Sequence, residues 1–194
     1  MGIMKVKRAI ILFLIIGTLT VVAGCARWPE GPEPEPGTNY QLEITVEVAG
    51  EINSYSGIYY IVLDTDEESI DGPGDDLFFW DDDFYYIKLE NDFFYFAQVE
   101  EESPELDLTD YSYSENELQV TIALSDLGSP SSIDINVVTT DSDNNTYDHL
   151  DDYFTINTTV LGSTVTREDS AGDSGDGGAD FDIVKVTAVV TTLY

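Results

Sequence analysis

Leu42-Glu43-Ile44-Thr45-Val46-Glu47-Val48 alternates apolar and polar residues without a break. Successive side chains of a strand point to opposite faces, so this period of two predicts a half-buried β-strand. The same period recurs at Leu118, Val120 and Ile122, and at Ile133, Ile135 and Val137. Ile58 to Leu63 is apolar or aromatic throughout and predicts a central strand. Short aromatic strands are expected at Leu77 to Trp80, Phe84 to Leu89 and Phe93 to Val99, the last two joined by a tight hairpin at Glu90-Asn91-Asp92. Tyr153 to Leu161 and Ile183 to Leu193 complete the set, and Ser125 to Gly128 reads as a single helical turn. No amphipathic helix of about 10 residues is visible. Residues 40–194 are therefore expected to form one all-β domain, a single antiparallel β-sandwich of about nine strands.

The N-terminus follows other rules. Lys5, Lys7 and Arg8 precede an uncharged apolar run from Ala9 to Val22. That run suits the apolar core of a signal peptide and is shorter than the roughly 20 residues that span a bilayer. Val22-Ala23-Gly24-Cys25 closes it with small residues and the chain's one cysteine. This arrangement resembles the lipobox of bacterial-type lipoproteins. The resemblance implies removal of residues 1–24, lipidation of Cys25, and attachment to a cell membrane or outer membrane on the extracytoplasmic side. No twin arginine precedes the apolar run, and Ala26 rather than an aspartate follows the cysteine. Residues 25–39, with Pro and Glu recurring and no apolar period, read as a stiff disordered tether.

The chain of 194 residues carries 39 Asp and Glu against seven Lys and Arg, a net charge of −32. Removing the basic leader leaves Arg27, Lys88, Arg167 and Lys185, for a net of −35. Nucleic acid is excluded as a partner, because phosphate binding needs clustered cations. The acid-rich, lysine-poor composition resembles that of proteins from salt-loving organisms. Disorder is not implied, since hydrophobic residues make up 42% of the chain and aromatics 12%. With Cys25 assigned to lipid, no disulfide is available.

Val120-Thr121-Ile122-Ala123-Leu124-Ser125-Asp126-Leu127-Gly128, the strand from Ile133 to Val138, Asp148, and Tyr60-Ile61-Val62-Leu63-Asp64-Thr65-Asp66 are similar to strand and turn patterns of carbohydrate-binding-module-9-like and DOMON-like sandwiches. The overlap covers residues 57–156 and implies a sandwich. The Met and His ligands with which some DOMON domains hold heme have no match, so neither sugar nor heme binding is carried over. His149 is the one histidine and no nucleophile-elbow motif is present, which argues against a Ser-His-Asp hydrolase. Zinc, which needs several His or Cys ligands, is excluded. The chain is expected not to be an enzyme.

Hard-cation binding suits the composition better. Calcium takes six to eight oxygens, best supplied by closely spaced Asp, Asn and carbonyls on a turning loop. The first candidate loop leaves a strand and offers Asp64, Asp66, Asp71 and Asp75. The second offers Asp141, Asp143, Asn145 and Asp152 at EF-hand-like positions, without the required glycine or flanking helices. The third runs from Glu168 to Asp182, with Asp173, Asp176, Asp180 and Asp182 among glycines. The alternative is that all three are solvated acidic loops selected by high salt.

Phe78 to Phe96 holds ten of the 23 aromatic residues. Alternation puts aromatic groups on both faces of this hairpin, whereas a sandwich core uses one. The second face is a candidate surface for a glycan or a protein, with Trp80, Tyr85, Tyr86 and Tyr95 as the expected contact residues. The functional expectation is a membrane-anchored, non-catalytic binding or accessory module for a glycan or protein, with Ca2+ as an optional stabilising ion. The alternatives are a structural envelope component without a small ligand, and a carboxylate-based glycoside hydrolase.

Overall fold

The computed structural model describes residues 40–66, 72–100 and 104–192, within one compact unit, Thr38–Tyr194. The leader, Cys25, the tether and Asp71 lie outside the described residues.

Twelve strands are present among the described residues, and the architecture is a two-sheet antiparallel sandwich, as the alternation predicts. The strands are β1 (Tyr40–Val48), β2 (Ile58–Asp64), β3 (Tyr85–Glu90), β4 (Phe93–Gln98), β5 (Leu106–Asp107), β6 (Tyr111–Ser114), β7 (Glu117–Ala123), β8 (Ser132–Thr140), β9 (Thr146–His149), β10 (Phe154–Asn157), β11 (Thr164–Glu168) and β12 (Ile183–Thr192). One sheet has the order β11-β12-β1-β7-β6. The other has the order β10-β8-β2-β3-β4-β5, with β9 also paired to β8.

The inward residues behave as the period of two requires. Leu42, Ile44, Val46 and Val48 of β1 are fully buried, facing Tyr59, Ile61 and Leu63 of β2 and Ile133, Ile135 and Val137 of β8 across the core. Each such aliphatic side chain contributes about 1.5–3 kcal/mol on burial. Polar residues fill the other face of β1, where Glu47 pairs with Lys185 of β12, directly opposite in register.

β2 differs from every other strand of its length because all seven of its residues are buried. Its odd-numbered residues enter the sandwich core, while Ile58, Tyr60 and Val62 form a second apolar cluster on the outer face with Trp80, Phe84 and Val138. Gly57 makes its entry possible. A Cβ there would stand 2.4 Å from the Thr140 carbonyl oxygen and 2.5 Å from the Phe181 ring.

Three expectations change. Leu77 to Trp80 is no strand: Leu77–Phe79 forms a 3-10 turn, because the Asp76 carboxylate caps the Phe78 N–H and the chain must bend to bring Trp80 inward. The strand expected from Tyr153 to Leu161 shortens to Phe154–Asn157, because the Asn157 side chain accepts from the Thr159 N–H at 2.9 Å and turns the chain. The additional strands β5, β6, β9 and β11 are short, polar edge segments with little apolar period to announce them. The hairpin at Asn91 and Asp92 is as expected, with φ of 50° and 69°. Asp92 then accepts from the hydroxyls of Ser54, Tyr55 and Tyr113, tying the hairpin of one sheet to the edge strand of the other.

Tyr59 joins the core to the β12 side of the sandwich. Its ring stacks on Phe181 at 5.2 Å, and its hydroxyl accepts from the Asn53 N–H and donates to the Asp180 carbonyl, both at 2.8 Å. Tyr59→Phe strands both backbone groups and is expected to cost about 2 kcal/mol of stability, measured by denaturant unfolding.

Candidate functional site

The outer face of the β2 sheet is covered by the segment that follows β2. Pro73 presents its carbonyl to Asn136 Nδ2 of β8 at 2.7 Å, and Trp80 Nε1 donates to the Gly74 carbonyl at 2.9 Å. The indole lies edge-on to Tyr60, which in turn meets Tyr86. Trp80 is thus only 8% exposed and serves as a cover. The capped turn that delivers it throws Phe78 and Phe79 into solvent, 80% and 83% exposed.

The other expected contact residues divide by face. Tyr85 turns toward the main core and stacks on Phe96 at 5.6 Å. Tyr86 is half-buried on the outer face, its hydroxyl 2.9 Å from Glu105 Oε1. Tyr95 shares that face, with Lys88 Nζ 5.0 Å from its ring centre and exposed Phe93 beside it. Lys88 sits between Tyr86 and Tyr95 and pairs with Glu105 at 2.7 Å and Glu90 at 3.3 Å. Phe78, Phe79 and Phe93, like Tyr55 further off, are open rings that the sequence reading left out. The Asp76 cap was the local signal that Phe78 and Phe79 sit on a turn. A separate cleft of about 280 Å³, lined by Phe96, Leu106, Leu108, Asp107, Asp110 and Asp126, opens near β5.

The three acidic loops do not close as three separate cages. In the first, Asp64 ends β2 and is 4% exposed. It accepts the Asp66 N–H at 2.9 Å, and lies opposite Asp134 of β8. Burial pushes Asp64 up to about 6, and the charges of Asp66 and Asp134 push the same way. Asp75 goes elsewhere, with Oδ2 3.6 Å from His149 Nε2. His149 pairs with Val138, four residues along β8 from Asp134, about 13 Å at 3.3 Å per residue.

The second loop closes on itself. Asp141 accepts from the N–H groups of Asp143 and Asn145 at 2.8 Å and from Asn145 Nδ2 at 2.7 Å. These donors, the Asn145 side chain foremost, hold Asp141 below the usual carboxylate range. Strand β9 then carries the chain away, so Asp152 lies beyond the far end of that strand and does not complete an EF-hand-like set.

The third loop uses its acids mainly as staples. Both oxygens of Asp182 accept the Gly172 N–H at 2.9 and 2.8 Å, and Asp180 accepts the Glu51 N–H at 3.2 Å. Yet the second and third loops meet. One oxygen each from Asp148, Asp169 and Asp173 lies within 4.8 Å of the other two, a spacing a cation with oxygen ligands can bridge. Asp148 is buried and accepts from Ile183 N–H at 2.7 Å and His149 N–H at 2.9 Å, while Asp169 Oδ2 is buried without a hydrogen-bond partner. Burial pushes Asp148 up to about 6.

No family model matches the chain, and no curated protein or solved structure matches it. The functional reading therefore rests on these residues alone.

A carboxyl whose folded pKa is raised binds its proton more tightly when folded than when unfolded, so it adds stability as pH falls through that pKa. In EDTA, the protein is expected to gain stability between pH 7 and pH 5, with Asp148 contributing on the order of 1 kcal/mol. Denaturant midpoints across that range check it, and Asp148→Asn should flatten the rise whatever its effect on absolute stability.

Proposed function

We propose that this chain is a lipid-anchored extracytoplasmic binding module, without catalytic activity, that presents an aromatic surface to a glycan or protein ligand. The carrying observation is Phe78 and Phe79 together. Two adjacent aromatic rings, each about four-fifths exposed, stand on a turn fixed by the Asp76 cap below and by Trp80 beneath it. Exposed apolar groups held in a defined geometry signify contact with something else. Phe93 and the half-buried Tyr95 offer further ring surface on the same sheet.

The anchor rests on the Val22-Ala23-Gly24-Cys25 lipobox. No helix of the described residues is long and apolar enough to cross a membrane. A second reading, a structural envelope component, is favoured by Trp80 and Phe84, which cover part of the outer aromatic face.

In an expressing bacterium, Cys25→Ser should move the protein from the detergent-rich phase to the aqueous phase on phase partitioning. The Phe78→Ala/Phe79→Ala double variant should keep the wild-type melting temperature, since both rings are solvent-exposed. It should lose at least tenfold in retention on immobilised cell-wall polysaccharide or on isolated envelope protein. Each ring, if buried by a ligand, contributes about 1.5–3 kcal/mol. Absence of wild-type retention on either probe supports the structural reading instead.

A further inference from the structure

We propose that a divalent hard cation, Ca2+, is held between Asp64 of β2 and Asp134 of β8, at the point where β2 gives way to the loop over the outer face. The two residues are directly opposite in the β2–β8 register, so their side chains leave the same face of the sheet. Like charges in that position repel. Solvent does not relieve them, because Asp64 is 4% and Asp134 8% exposed. Asp134 Oδ1 is buried with no hydrogen-bond partner, although buried carboxylate oxygens are almost always satisfied. Among the described residues, Lys88 and Lys185 form ion pairs and His149 Nε2 lies 3.6 Å from Asp75, and none of the three pairs with Asp64 or Asp134.

The Asp66 N–H donates to Asp64 Oδ1 at 2.9 Å, while the Asp66 side chain is exposed. One shared proton would neutralise a single charge of the facing pair. A divalent ion balances Asp64 and Asp134 together and occupies the oxygen that lacks a donor. The charged ligands are all oxygen, with no thiolate or imidazole, which suits calcium rather than zinc or copper. The Asp148–Asp169–Asp173 cluster also has an unpartnered oxygen, Asp169 Oδ2, but is the weaker candidate, since Asp169 is only partly buried, Asp173 is exposed and both oxygens of Asp148 already accept backbone N–H groups.

The position has a structural consequence. Asn136, next along the same face of β8, holds the Pro73 carbonyl. The cation would hold Asp64 at the end of β2, as this hydrogen bond holds Pro73. The assignment stands whether or not Phe78 and Phe79 bind a ligand.

The test is a CaCl2 titration of the full-length chain in detergent, stripped with EDTA and held in 0.15 M KCl, followed by calorimetry and thermal melting. Wild type should show saturable heat and a melting temperature that climbs with Ca2+, as any ligand of the folded state produces. Asp134→Asn and Asp64→Asn should each weaken Ca2+ at least tenfold. In EDTA, Asp134→Asn should melt no lower than wild type, because it removes one of two facing charges; the order should invert in Ca2+. If Asp134→Asn does not fold, Asp64→Asn carries the same comparison. Three outcomes overturn the assignment: no calcium response in wild type, a melting temperature that follows KCl but not Ca2+, or a response kept in Asp134→Asn and lost in Asp173→Asn.

Discussion

Strand β2 is apolar on both faces, and much of the molecule follows from that. A strand in a sandwich ordinarily buries one face and wets the other. Ile58-Tyr59-Tyr60-Ile61-Val62-Leu63 leaves no face to wet, so it needs two covers. The β1 sheet supplies one through Leu42, Ile44, Val46 and Val48. The chain following β2 supplies the other by folding back with Trp80 and Phe84. Asp64 lies buried at the strand's end, opposite Asp134 in the β2–β8 register. The second cover reverses the chain over Asp76, so that Trp80 points in while Phe78 and Phe79 point out.

The acidity has a second role besides solvation. Asp76, Asp92, Asp141, Asp180 and Asp182 each accept hydrogen bonds that close a turn or join two loops. Carboxylates accept stronger hydrogen bonds than neutral groups, so turns can be locked without a disulfide. The donors to Asp92 and Asp141 hold those two carboxyls below the usual carboxylate range. Asp64, Asp134, Asp148 and Asp169 are of another kind, withdrawn from water beside further acids. A uniform acidic composition therefore conceals two populations, one that closes turns and loops through its hydrogen bonds and one that faces other acids.

The strand pattern was legible where apolar period and burial coincide. β1, β7, β8 and β12 could be read directly, as could the Asn91–Asp92 hairpin, because local backbone and side-chain alternation are encoded within a few residues. The short edge strands were not, since Tyr111-Ser112-Tyr113-Ser114 and Thr146-Tyr147-Asp148-His149 form through pairing to a neighbour rather than through their own pattern. Leu77 to Trp80 misled because an aromatic run satisfies a strand template equally well, and only the Asp76 cap distinguishes the turn.

The same division applies to the sites. Asp64 and Asp66 were visible as close neighbours at the end of a strand, because their pairing depends on adjacent residues. Asp134 carries no signal of its own: it reads as the polar member of an alternating strand, which places it in water. Trp80 looked available for contact for the same reason. The sequence by itself determined that this chain is an antiparallel β protein with a strand too apolar for one cover. Which segment provides the second cover, which acids are buried and which rings remain outside were decided only by the tertiary structure. Burial on that face depends on residues far apart in the chain, and no local period can record it.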